Sequence, residues 1–190
     1  MARWVADDSN NKAHVLIQKI GAYKAVVGWA DEVKAELAKI CSTCKVSEIE
    51  NSAQQITGAG AAQSIVSQVR KDPSIDYVVG YNGAFFGGLN QALKNAQLDV
   101  KVGGLFPLPQ NVQDIMKGSG GAFLAVNNPY TAWFSMDAAL RHAQNAPALP
   151  EDQQVFPSKL VTKTSAKDSD GDFAGPDGFE DQFKKLWKVG

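Results

Sequence analysis

The sequence predicts an α/β chain, a mainly parallel open sheet with helices on both faces. Three observations carry this. Short apolar runs bounded by turn residues recur along the chain, and they alternate with longer amphipathic helical patterns. Several of the runs, such as Val15-Leu-Ile17 and Tyr77-Val-Val79, are apolar at successive positions, as strands covered on both faces are. The 190 residues, 44% of them hydrophobic, suffice for one well-filled core.

Taken in order, His14-Val-Leu-Ile-Gln-Lys-Ile20 reads as a buried strand. Val26, Ala30, Val33, Leu37 and Ile40 then recur every three or four residues, the face of an amphipathic helix over 24–40. Lys45–Glu50 is a second strand. Ile65, Val66 and Val69 mark a helix that stops at Lys71-Asp72, because Pro73 pushes the residue before it out of α geometry. Asp76–Asn82 is a third strand. The cycle continues with helix 87–97, strand 100–106, helix 111–117, strand 121–127 and helix 131–144. Residues 153–163 read as extended, and Phe179–Lys188 as the helix of a C-terminal segment spanning 179–190. Ala146-Pro-Ala-Leu-Pro150 breaks the alternation, and the polar, Asp- and Gly-rich stretch 163–178 is expected to be a surface loop.

Charge excludes some functions. Lys and Arg number 19 against 20 Asp and Glu, so no basic excess exists to neutralise phosphates or an acidic membrane surface. No apolar run approaches the ~20 residues of a membrane span. Residues 1–8 turn acidic where the apolar part of an export signal would stand, so no signal peptide is expected in this chain.

The candidate chemistries are few. Cys41-Ser-Thr-Cys44 has redox spacing, but it follows the C-terminal end of helix 24–40, where the helix field opposes a thiolate. A local disulfide, two free thiols, and redox or metal chemistry all stay open; a disulfide would indicate an oxidising compartment. Asp168-Ser-Asp-Gly-Asp172 opens like a calcium loop but has Phe173 and Phe179 where that loop needs Gly and Glu, so a solvated acidic loop is expected. The glycine clusters at 58–60, 83–88 and 103–104 match no phosphate-binding pattern. With His14 and His142 the only histidines and no nucleophile elbow, no enzyme, metal site or cofactor is expected. What remains is a set of polar and aromatic residues at strand carboxyl ends. These are Tyr81, Asn82, Phe85 and Phe86 after the third strand, Phe106 and Gln110 after the fourth, and Asn127, Asn128 and Tyr130 after the fifth. Ligands of open α/β sheets bind at those ends. For Asn82, Asn127 and Asn128 the competing role is helix capping.

Several segments then resemble one family. They are Trp4-Val-Ala-Asp-Asp-Ser-Asn-Asn-Lys-Ala-His-Val-Leu16, Cys41-Ser-Thr-Cys-Lys-Val46, Asp72-Pro-Ser-Ile-Asp-Tyr-Val-Val-Gly-Tyr-Asn82, Gln91-Ala-Leu-Lys-Asn-Ala96 and Gly178-Phe-Glu-Asp-Gln-Phe-Lys-Lys-Leu-Trp187. Over nearly all of 1–190 the chain resembles the C-terminal lobe of type I periplasmic, ribose-binding-like substrate-binding proteins of sugar ABC transporters, with the N-terminal lobe missing. The resemblance implies a flavodoxin-like three-layer sandwich and an exported, periplasmic or membrane-anchored parent. It also implies a membrane permease as the parent's partner, and a disulfide between Cys41 and Cys44. It makes residues 2–9 the tail of a longer helix, and 119–145 a segment that crosses to the other lobe in two-lobed relatives. Where the ribose-binding pattern has an Arg near Val27 and Asp at Gly83 and Phe106, this chain keeps only Asn82 and the amide of Asn127. A sugar or a more apolar, sugar-like ligand is therefore expected on Tyr81, Asn82, Phe85, Phe106, Asn127 and Tyr130, held weakly by one lobe alone.

Two other readings compete: the effector lobe of a lac-repressor-type regulator, and a truncated or engineered half-protein kept for its fold. The helix after strand 121–127 carries Trp133, Phe134, Met136, Leu140 and Ala143, apolar on more than one side. Without a second lobe, this 121–144 segment would either pair two copies through an exposed edge or close onto its own sheet.

Overall fold

A computed structural model of the protein describes residues 1–189 apart from 59, 151–153, 155, 168–170 and 172. Its first half runs α1 (Ala2–Asp8), β1 (His14–Lys19), α2 (Lys24–Ile40), β2 (Lys45–Glu50), α3 (Ala53–Thr57), α4 (Gly60–Lys71) and β3 (Tyr77–Gly80). A 3₁₀ turn at Gly83–Phe86 leads to α5 (Leu89–Asn95), β4 (Lys101–Leu105), α6 (Pro109–Met116) and β5 (Ala122–Val126). The chain ends with α7 (Asn128–Ala143), β6 (Ser158–Val161) and α8 (Phe179–Trp187).

One six-stranded sheet has the order β2-β1-β3-β4-β5-β6. All neighbours are parallel except β5 and β6, where Phe123 faces Val161 and Val126 faces Ser158. On one face Leu16, Val78, Val102 and Phe123 pack beneath Ile65 and Val69 of α4, Leu93 of α5 and Ile115 of α6. On the other, Val15, Ile17 and Val79 pack beneath Val5 of α1 and Ala30, Val33 and Leu37 of α2. The expected three-layer α/β class is the one observed. In β4 a Cβ on Gly104 would lie 2.3 Å from the Gly80 carbonyl oxygen, and one on Gly103 2.6 Å from that of Ala122. The Gly-Gly pair thus permits close backbone approach inside the sheet.

One expectation changes. The strand at 121–127 presents no open edge: β5 lies between β4 and β6, because 158–161 returns antiparallel and takes the edge position. Among the described residues of 163–178 none is fully buried, and Ala166 and Phe173 pack against the main core. The calcium-loop motif falls mostly on 168–170 and 172, outside the described residues, as does part of the extended stretch 153–163. Helix α7 buries fully only Asp137 and pairs with α8. Asp137 accepts from Arg141 Nε at 2.7 Å and from Trp187 Nε1 at 2.9 Å.

Candidate functional site

The strand order reverses between β1 and β3, since the chain moves from β1 outward to β2 and then returns to the other side. At such a reversal the loops leaving two neighbouring strands diverge and open a crevice at their carboxyl ends. The residues flanking it are aromatic. Tyr81, just past β3, meets Trp29 of α2 edge-on, with ring centroids 6.1 Å apart and planes at 81°. It also meets Phe106, just past β4, at 5.7 Å and 53°. All three side chains are half-buried, so each keeps surface to offer.

The backbone here is held in an unusual shape. Phe106 has φ +51°, a left-handed conformation that costs a non-glycine residue of order 1–3 kcal/mol and concentrates at functional sites. Its N–H donates to Leu124 O at 3.0 Å, and its carbonyl accepts from Gly83 N–H at 3.3 Å. Gly83 is required by this approach: a Cβ would lie 2.9 Å from Phe106 O and 2.4 Å from Asn111 Oδ1. The Phe106 ring is thereby fixed against Tyr81.

Asn82 caps the 3₁₀ turn, its Oδ1 accepting from Ala84 N–H at 2.9 Å. Its Nδ2 and the Tyr81 hydroxyl make no hydrogen bond among the described residues, which leaves a donor and a donor-acceptor beside the aromatic faces. Phe85 is half-buried on the same turn, while Phe86 points into the core against Phe123 at 6.1 Å.

The other two expected residues, at the carboxyl end of β5, have partners of their own. Asn127 caps α7 by accepting from Tyr130 N–H, and its Nδ2 donates to Phe173 O at 2.6 Å, so its amide is engaged at both ends. The Tyr130 ring packs on Phe179 at 5.4 Å and Phe183 at 6.0 Å, within the α7–α8 pair. Asn128 is the first residue of α7, and Gln110 Nε2 donates to Asp114 Oδ1 at 2.8 Å within α6.

Trp29 escaped the sequence reading because it flanks the apolar stripe of α2 instead of lying on it. A second missed feature is a chain of buried amides near the same sheet end. Gln18 Nε2 donates to Asn51 Oδ1 at 3.3 Å, and Asn51 Nδ2 donates to Ser64 Oγ at 3.0 Å. A fully buried Gln inside an apolar strand was the available signal.

The remaining reactive groups have structural partners. Cys41 and Cys44 form a disulfide, with Cys41 buried at the end of α2. His14 Nδ1 lies 2.8 Å from Ser74 Oγ and its Nε2 3.1 Å from Ser47 Oγ, at the opposite end of the sheet. Asp8 accepts from Tyr77 Oη and Lys101 Nζ, both at 2.6 Å. Partial burial pulls the Asp8 carboxyl up, but those hydrogen bonds and the Lys101 charge outweigh it and hold the group below the usual carboxylate range. Burial and the bond to Asp8 push the Tyr77 hydroxyl above the usual phenol range. Among the described residues no group of three or more His, Cys, Asp or Glu is placed to hold a metal ion.

Neither a protein-family model nor a curated protein sequence matches the chain. Solved structures do match. An ABC sugar transporter subunit from Rhodobacter sphaeroides superposes with TM-score 0.70 at 18% identity, over 86% of this chain and 60% of its own. The glucose-galactose binding protein GanP from Geobacillus stearothermophilus gives 0.68 at 18%, over 86% and 57%. An ABC transporter periplasmic solute binding protein from Actinobacillus succinogenes, solved with bound D-allose, gives 0.65 at 17%, over 90% and 59%. The fold is that of one lobe of the type I periplasmic sugar-binding proteins, and the chain spans about three fifths of the length of these structures. No helix among the described residues is long and apolar enough to cross a membrane.

Proposed function

We propose that the chain is a solute-binding lobe of an ABC importer substrate-binding protein, and that it binds without catalysis. Its ligand is a small sugar or sugar-like molecule with an apolar face, taken at the carboxyl ends of the strands. The observation that carries this reading is Tyr81, set between Trp29 and Phe106 at the sheet's reversal point with its hydroxyl unspent. Aromatic faces suit the C–H surface of a sugar ring, and the Tyr81 hydroxyl and Asn82 Nδ2 suit its hydroxyls. The three sugar-transport structures of the same fold support the ligand class. In this reading Phe85 flanks the same face. We assign Asn127 and Tyr130, past the end of β5, to the far side of that face, with Asn127 bonded to Phe173 and Tyr130 packed on α8.

The parent would be exported and would deliver its ligand to a membrane permease, with no nucleic-acid partner. Association of two copies through 121–144 would use the outer side of α7, where Met136 is exposed, since β5 is already paired on both sides. One lobe covers less of a ligand than the roughly 70–90% enclosed by good sites, so affinity alone should be weak. The test is an NMR titration with D-glucose, D-galactose, D-allose and myo-inositol. Saturable shifts of the Trp29 indole and the Asn82 side-chain amide, lost in Tyr81→Ala, are expected. Their absence, or their persistence in Tyr81→Ala, would overturn the assignment.

A further inference from the structure

A second concavity is lined by none of Tyr81, Trp29 and Phe106, although Gly83 and Leu108 bring one of its ends next to them in the chain. Helices α5 and α6 run side by side on one face of the sheet, and a groove of about 850 Å³ opens between them. That is within the ~300–1,000 Å³ of small-molecule sites. Its floor is aliphatic, with Leu93 and Val100 buried, Leu98 half-buried and Leu108 exposed at the rim. Asp114 ties the two walls together. Its carboxylate accepts from Asn90 Nδ2 of α5 at 2.9 Å and from Gln110 Nε2 of α6 at 2.8 Å, so this acid is occupied.

Three donors along the groove are not occupied. Asn111 is 95% buried, given its 5% exposure, and its Oδ1 accepts from Leu108 N–H at 2.7 Å. Its Nδ2 has no acceptor among the described residues, and Asn111 lines the groove. A largely buried amide hydrogen without a partner is unfavourable, and an acceptor from outside would relieve it. Lys94, in the last turn of α5, and Lys117, capping the C-terminus of α6, line the same groove and form no ion pair among the described residues. Both helices leave the carboxyl end of the sheet and run the same way, so the two cations share one end and Asn111 marks the other. Lys117 lies six residue steps beyond Asn111, about 9 Å at ~1.5 Å per step. Asp99 is the other acid on the lining.

We propose that this groove binds an aliphatic dicarboxylate of medium chain length. One carboxylate pairs with Lys94 and Lys117, the methylene chain covers Leu93 and Leu98, and the far carboxylate accepts from Asn111 Nδ2. The assignment does not depend on what the Tyr81 site binds.

The test titrates the ¹⁵N-labelled chain with azelate, nonanoate and 1,9-nonanediol. Azelate should shift the Asn111 side-chain amide and the Leu98 and Lys94 backbone amides saturably, with nonanoate weaker and the diol weakest. Lys94→Met with Lys117→Met, both at exposed positions, should weaken azelate about tenfold without changing the fold. Leu98→Asp should weaken all three probes. Equal shifts from diol and diacid, azelate affinity unchanged in the double lysine variant, or shifts confined to Trp29 and Tyr81 would each overturn the proposal.

Discussion

The indole of Trp187 lies flat on that of Trp133, with centroids 5.2 Å apart and planes 6° from parallel, while its Nε1–H donates to the buried carboxylate of Asp137. This pair joins the last helix to α7, beside the ring contacts of Tyr130 and Trp133 with Phe179 and Phe183. Stacking beyond simple burial is worth about 0.5–1.5 kcal/mol and a hydrogen bond to a charged group about 1.5–3 kcal/mol. Trp187→Ala should therefore weaken the docking of α8 by about 2–4 kcal/mol, and Trp187→Phe by about 1.5–3 kcal/mol, since the ring contact survives and the hydrogen bond is lost. Hydrogen exchange at the α8 amides reads this directly. Exchange in Trp187→Ala no faster than in the wild type would show that α8 is held by something else.

Asp8 gives the protein an acid-side dependence whose sign is fixed. Its carboxyl is held below the ordinary value by Lys101 and Tyr77, so the folded state favours the charged form. That stability is present above the unfolded value of about 3.9 and drains as pH falls through the lower folded value. Tyr77 works in the opposite direction, because its hydroxyl is pushed above the ordinary phenol value. Its contribution is present below about pH 10 and is lost as pH rises through the folded value. Asp8→Asn should flatten the acid limb of the stability curve, and Tyr77→Phe the alkaline limb, the latter at a cost of about 1 kcal/mol near neutrality. Denaturant midpoints measured from acid to alkaline pH decide both, and an acid limb unchanged in Asp8→Asn would remove Asp8 from the account.

Phe106 separates binding from stability. Asn tolerates the left-handed conformation better than Phe, so Phe106→Asn relieves backbone strain while deleting the ring that backs Tyr81. The variant should lose saturable sugar binding at the Trp29–Tyr81 face, and the thermal midpoint should move by no more than a few degrees. Retained binding in a folded Phe106→Asn would place the ligand elsewhere.

The layered fold was legible because its signals are local. The strand at 14–20 and the helix at 24–40 are apolar in the periods their burial requires, and the described β1 and α2 keep those bounds within a residue. Helix α3 was missed because five residues with only Ala53 and Ile56 apolar are too few to show a period, although Ser52 and Gln55 do form a capping box there. The grouping of Tyr81 with Phe106 followed from both lying at strand ends. Tyr130 met the same criterion, yet its ring partners Phe179 and Phe183 come some fifty residues later, and no local pattern encodes that contact. Asn127 had both roles open, and the hydrogen bonds show it capping. Trp29 was hidden because its value lies in the neighbour that the sheet's reversal brings to it.

The disulfide between Cys41 and Cys44 closes a very short loop, and this limits what it can contribute. Loop-closure entropy for about four residues amounts to about 2 kcal/mol, well below what long loops give. Its position adds a second effect. Cys41 ends α2, its N–H donating to Leu37 O at 2.8 Å, and the next backbone bonds, Cys44 N–H to Cys41 O and Lys45 N–H to Ala13 O, lead directly into β2. Cutting the bridge therefore loosens the turn between α2 and the edge strand while leaving the buried packing of Cys41 against the second core in place. Cys41→Ala with Cys44→Ser should cost about 2 kcal/mol, with faster hydrogen exchange confined to 41–46. Reductant should shift the wild type to the same midpoint and add two protons by mass. A double variant as stable as the oxidised wild type would mean that the backbone bonds alone hold this turn, and that the bridge adds nothing to the fold.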